Sequence, residues 1–162
     1  MKEDIYMEHR TTLIAVKDIE KAKVFYKSVL GLDVVMDVGA NVELTKGISL
    51  QTADSWASFI CKQESEIVFS NNAIELYFET DDIDNFIEKL KSFADIEYLH
   101  PLIEHSWGQR AVRFYVTDHH IIEVAENIAM VTKKFIDSGL TIEQTAKRMD
   151  VGIDYIKAIL ER

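Results

Sequence analysis

Eight residues of this chain that can do chemistry fall on one side of its strands. Read alternately, strand positions give one face to Glu43, Gln51, Glu75, Glu79, Arg113 and Glu123, together with Tyr77 and Tyr115. A wet outer face is the ordinary fate of such a mixture in an antiparallel sheet. Two tyrosines and an arginine among carboxylates read better as a lined pocket, with rings for walls and charged groups for specificity. The opposite positions, among them Ile14, Val16, Val42, Leu44, Leu76, Phe78, Val112, Phe114, Ile122 and Val124, are all apolar and must pack under helices.

The elements that position these residues are written twice. Thr11 to Val34 and Glu75 to Tyr98 superpose when slid by 64 positions, the separation of Asp18 and Asp82. Each reads as a short strand, an Asp-Ile step that starts a helix, an amphipathic helix and a second strand. Ile19, Ala22, Phe25, Tyr26 and Val29 keep helical spacing, and Gly31 supplies the stop. Strands are predicted at 33–38, 42–45 and 48–52, with a short helix over 55–61 whose apolar stripe is Trp56, Phe59 and Ile60.

A linking strand is expected at Ile67–Phe69, and Asn71-Asn72 makes a turn. The second round continues with strands 74–79 and 96–99, a helix from Asp82 to about Lys91, and strands 111–116 and 120–125. Pro101 is placed between elements. The fold class is therefore α+β: paired βαβββ modules forming a curved, cup-shaped mixed sheet with helices on its convex face, plus a C-terminal helical hairpin. The organisation is an N-terminal segment 1–10, a domain 11–127 with repeats 11–61 and 74–127, and a C-terminal helical extension 128–162.

Composition narrows the function. Nearly half of the 162 residues are apolar, which supports one core, and no apolar run approaches a membrane span. MKEDIYMEHR lacks a signal-peptide core, and the lone Cys61 excludes an internal disulfide; a cytoplasmic location is expected. Residues 1–129 hold 12 Lys+Arg against 23 Asp+Glu, a formal −11, whereas 130–162 hold 6 against 5. An acidic body repels phosphate backbones, so nucleic acid is not an expected partner of the main domain.

With these residues placed, the chain resembles the vicinal oxygen chelate superfamily of glyoxalases, bleomycin-resistance proteins and extradiol dioxygenases, over about residues 10–127. The likeness rests on VKDIEKAKVFYKSVLGLDV and WGQRAVRFYVTDHHIIEVAE. It implies a divalent metal held in the cup by four strand positions, commonly His, Glu, His and Glu. Carried over, those positions are Thr11, Gln51, Glu75 and Glu123. Thr11 is a poor ligand and Gln51 offers a neutral carbonyl, so the set suits at most a weakly held hard ion such as Mg or Mn. Without metal, Glu75 and Glu123 facing one another would repel, so one should titrate high or pair with Arg113. His119 stands where the family commonly has glycine, which predicts a turn residue at positive φ.

Two functions from different classes follow. One is a metal-free binding protein for a small organic molecule, with Tyr77 and Tyr115 as walls and Gln51 and Arg113 as polar contacts. The other is a metal-dependent lyase or isomerase of the glyoxalase type, with Glu75 and Glu123 as ligands or acid/base groups and Arg113 as an anion clamp. Ligand chemistry favours the first by a narrow margin, and whether the chain is an enzyme stays open. A homodimer is expected. The tail, Leu140–Leu160, has helix-turn-helix spacing and opens with a capping box, Thr141 with Gln144. Its last helix carries no net charge, so docking on the body or a second chain is favoured over DNA.

Overall fold

The computed structural model describes residues 6–161; within the N-terminal segment 1–10, residues 1–5 lie outside the described residues, as does Arg162. The chain divides into two compact units, one ending at Phe69 and one beginning at Ser70.

The first unit runs β1 (Thr12–Val16), α1 (Ile19–Leu30), β2 (Val34–Asp37), β3 (Asn41–Leu44), β4 (Ile48–Thr52) and α2 (Ala53–Phe59). Its four-stranded sheet has the order β1-β4-β3-β2, with β1 and β4 parallel. Asp18 caps α1 by accepting from the Lys21 amide at 3.0 Å, and Gly31 ends it in the left-handed region at φ 73°. The helix turns Ala22, Tyr26 and Val29 inward, and Val16, Val42, Leu44 and Leu50 of the strands are buried too.

The second unit repeats the plan: β5 (Glu75–Thr80), α3 (Ile83–Lys91), β6 (Glu97–Glu104), β7 (Arg110–Tyr115) and β8 (Ile121–Glu126), in the order β5-β8-β7-β6 with β5 and β8 parallel. Asp82 caps α3 through the Asn85 amide at 2.9 Å, as Asp18 caps α1. Both modules are thus βαβββ and the architecture is α+β. Val112, Phe114, Ile122 and Val124 are buried as alternation requires.

Three helices follow, α4 (Ile128–Asp137), α5 (Ile142–Met149) and α6 (Ile153–Leu160), so the extension is one helix more than a hairpin. The Thr141–Gln144 capping box forms with both bonds, 2.9 and 3.2 Å. Val131, Ala146, Met149 and Ile156 make a small core, and Trp107, from the β6–β7 hairpin, packs against it. Arg148 donates to the Ser106 carbonyl and covers the Phe135 ring at 5.2 Å. The tail is docked on the hairpin of its own unit.

Four local expectations are corrected. Ile67–Phe69 joins neither sheet; Val68 at its centre is exposed, so the run has no buried face to hold it as a strand. Pro101 lies inside β6, where an edge strand tolerates a residue without an amide proton, and the register slips on both sides of His100. Cys61 follows α2 as an exposed turn residue at φ 56° rather than sitting on the helix. Phe59 and Ile60, read as an apolar stripe, are exposed, and α2 buries Ala53 and Ala57 instead.

Candidate functional site

The polar face of the second sheet gathers its chemistry in one row. Tyr77 on β5 pairs with Glu123 on β8, Glu123 with Arg113 on β7, and Arg113 with His100 on β6. Period-2 alternation puts the first three on one face. His100 joins them because the slip between Tyr98 and His100 moves it by one position to the other side of its strand.

Arg113 is the hub. Its Nε donates to Glu75 Oε2 at 3.0 Å and its Nη2 to Glu123. Nη1 stands 3.3 Å from His100 Nε2 and 3.5 Å from His105 Nε2. Arginine only donates, so both imidazoles must offer a lone pair at Nε2. For His100 this agrees with the other nitrogen, since Nδ1 lies 2.8 Å from the Pro101 carbonyl and can donate to it. Burial lowers the His105 pKa, and the neighbouring Arg113 charge lowers it further.

Glu123 is buried, with only 3% of its surface exposed. Desolvation raises its carboxyl above the ordinary range; Arg113 opposes the shift and Glu75 adds to it. The carboxylate pair and arginine expected from the sequence are therefore brought together. The guanidinium is nonetheless committed on all three nitrogens, and an anionic ligand would have to displace a carboxylate or an imidazole to reach it.

The tyrosines are held differently. The Tyr77 hydroxyl donates to Glu79 at 2.8 Å and accepts from Gln109 Nε2 at 3.0 Å. Burial raises its pKa, with Glu79 adding to the shift. Tyr115 donates to Asn72 Oδ1 at 2.6 Å and stacks on His119 at 5.0 Å, so its ring is tied to neighbouring turns. His119 has φ 57°, as its glycine-like place predicts. Arg110, at the start of β7, pairs with Glu126 and Asp84.

In the first unit Gln51 is spent on structure. Its Oε1 accepts from Asn41 Nδ2 at 2.7 Å and its Nε2 donates to Ser55 Oγ at 2.6 Å. Thr11 Oγ1 donates to the Gly47 carbonyl at 3.1 Å and lies 2.9 Å from Ser49 Oγ. Register also separates Gln51 from the role carried over to it. Glu123 pairs with Tyr77, two residues after Glu75; the corresponding place, opposite Leu13 and two residues after Thr11, is Ser49.

The donor set does not fit a divalent cation. Glu75 and Glu123 bracket a fixed guanidinium, and the one Gln51 atom able to ligate is already an acceptor. Sequence reading missed His100, Gln109 and Asn41. Extending the strand through Pro101 would have included His100, but on the wrong face, since the register slip reverses its parity.

The Glyoxalase-like domain family matches residues 9–129, and the chain belongs to it, within the vicinal oxygen chelate superfamily. Among solved structures it is similar to a protein of unknown function from Agrobacterium tumefaciens, with 32% identity, 76% of this chain and 97% of that chain covered, and a TM-score of 0.69. The fold is shared with a glyoxalase/bleomycin resistance protein/dioxygenase family enzyme from Burkholderia phytofirmans (13% identity, 74% and 98% covered, TM-score 0.65). It is shared too with the fosfomycin resistance protein FosX from Mesorhizobium loti (16%, 78% and 94%, 0.54). No curated protein matches the sequence.

Proposed function

We propose that this glyoxalase-like protein binds a small organic molecule on the polar face around Arg113, without the metal quartet common in its family. The observation that carries this reading is the Arg113 guanidinium held between Glu75 and Glu123, where two carboxylates would otherwise be free to ligate. Resistance proteins occur on the same fold, and capture of a ligand needs a shaped polar face rather than a reactive centre. Arg113, Glu75 and Glu123 supply the polar contacts and Tyr77 a wall, while Tyr115 holds the turn at Asn72; Gln51, in the other unit, serves its own sheet.

The buried Glu123, with its raised pKa, supports a second reading, a lyase or isomerase in which this carboxyl carries a proton. Metal content by elemental mass spectrometry, followed by titration with Mn, Ni and Zn, separates the two. We expect no stoichiometric metal. Near-stoichiometric metal that Glu75→Gln and Glu123→Gln both remove would overturn the binding reading and send the search to glyoxalase-type substrates.

We further propose a cytoplasmic homodimer. No helix among the described residues is long and apolar enough to cross a membrane. Edge strand β2 exposes Val34, Val35 and Met36, and Val38 just beyond it, an apolar ribbon that a second copy would cover. DNA is not a proposed partner, because Ala146, Met149 and Ile156 of the tail are turned into its own core.

A further inference from the structure

Between the second sheet, the β6–β7 hairpin and the helical extension lies a cavity of about 570 Å3. Its walls include Tyr77 and Glu79 of β5, Trp107 of the hairpin, and Met149, Asp150 and Tyr155 of the tail. The volume is within the range of sites for drug-sized ligands. Three of its walls are aromatic rings and two of its lining residues are acids; among the described residues no lysine or arginine lines it.

The walls are fixed in place before any ligand arrives. Trp107 Nε1 donates to Gln109 Oε1 at 3.0 Å, and Gln109 Nε2 donates to the Tyr77 hydroxyl at 3.0 Å and to the Glu126 carbonyl at 2.7 Å. Tyr77 in turn donates to Glu79. Gln109, 4% exposed, is the buried connector of this chain, and the stacked His105 ring, 4.2 Å from Trp107, backs the indole. On the tail side, Met149 is buried and Tyr155 half-exposed. Asp150 ends α5 in the left-handed region and makes no side-chain bond among the described residues. The nearby Arg148 is held by Ser106, Glu104 and the Phe135 ring.

We propose that this cavity is a binding site for a flat organic cation, an aromatic amine or amidine. Ring faces attract a cation placed over them, and Glu79 and Asp150 supply the opposite charge. The same walls repel an anion, and the acidic chain, at a formal −10, adds to that preference. The residues matched by the family end at 129, so Met149, Asp150 and Tyr155 make this a site particular to the tailed chain. It extends the small-molecule reading without depending on it, since only Tyr77 is shared with the face around Arg113.

The test is fluorescence anisotropy of 9-aminoacridine, a planar cation, titrated with the full chain. Anthracene-9-carboxylate, of the same outline and opposite charge, serves as comparison. We expect saturable binding of the cation at one site per chain and at least about tenfold weaker binding of the anion. Tyr155→Ala should weaken the cation about tenfold and Asp150→Asn about threefold, with near-ultraviolet circular dichroism unchanged. Asparagine tolerates the left-handed region, so the second variant stays folded. Unsaturable binding, equal affinity for the anion, or indifference to both variants would overturn the proposal. The Arg113 reading survives such a failure, because metal content and the Glu75 and Glu123 variants test it separately.

Discussion

Arg113 lies directly opposite Glu123 on antiparallel neighbours, and its guanidinium closes on that buried carboxylate. Removing the arginine therefore strands a charge rather than merely deleting a contact. Arg113→Met should cost about 2–4 kcal/mol at neutral pH. The deficit should shrink in acid, where Glu123 can take a proton. Urea unfolding at several pH values measures this, and a deficit independent of pH would refute it.

Glu123 also sets a pH dependence of its own. Its carboxyl is raised above the ordinary 4.5, so the folded state holds the proton more tightly than the unfolded state does. Its contribution to stability therefore falls as pH rises from the ordinary value through the raised one. Glu123→Gln removes that slope. The variant should gain on wild type between about pH 4 and pH 7, while Glu75 still neutralises Arg113. A constant difference across that interval would sink the assignment.

Glu126 has the opposite sign. Burial alone would raise it, but hydrogen bonds from the Arg110 side chain and amide hold it below its ordinary value. The stability it adds is present above the unfolded pKa and is lost as pH falls through the folded one. Glu126→Gln should cost about 1–2 kcal/mol at neutral pH and progressively less in acid. Thermal melts at pH 7 and pH 3 (about) would show whether the gap closes.

Gly108 anchors the tail. It sits at φ 88°, and a Cβ there would overlap the Phe135 ring, whereas a Cβ on Gly139, at φ 99°, meets nothing within 4 Å. Gly139→Ala should cost about 1 kcal/mol from backbone strain alone, and Gly108→Ala about 2–3 kcal/mol. Hydrogen exchange across 128–160 should quicken only in the second. Equal protection in both variants would argue that the tail holds without the hairpin.

The exposed ribbon on β2 gives a separate expectation. Val35→Lys, at a position 62% exposed, should leave the fold intact and shift the chain to monomer in sedimentation velocity. An unchanged sedimentation coefficient, or a monomeric wild type, would remove β2 from the dimer proposal.

Much of the fold was readable because the two modules repeat their punctuation. Asp18 and Asp82 both cap helices, Gly31 stops one, and alternation placed Val112, Phe114, Ile122 and Val124 inside. Of the candidate site, Glu75, Arg113 and Glu123 could be foreseen as neighbours by parity. His100 could not, since a register slip changes parity without leaving a mark in composition. Gln51 was misleading for a related reason: a carboxamide on the polar face looks available until Asn41 and Ser55 are found on its two ends. The cavity under the tail was hidden too, because Met149, Asp150 and Tyr155 approach Tyr77 only through the docking of helices that periodicity alone cannot aim.

Each module is closed by a parallel pairing of its first and last strands, β1 with β4 and β5 with β8. Every ladder is thus completed before or after the stretch joining Cys61 to Asn72, and none runs through it. That stretch is a natural seam for protein engineering. Cutting or lengthening it interrupts no strand pairing, so two separately expressed halves, or a chain with new ends at Phe69 and Ser70, should each retain a full set of sheet hydrogen bonds.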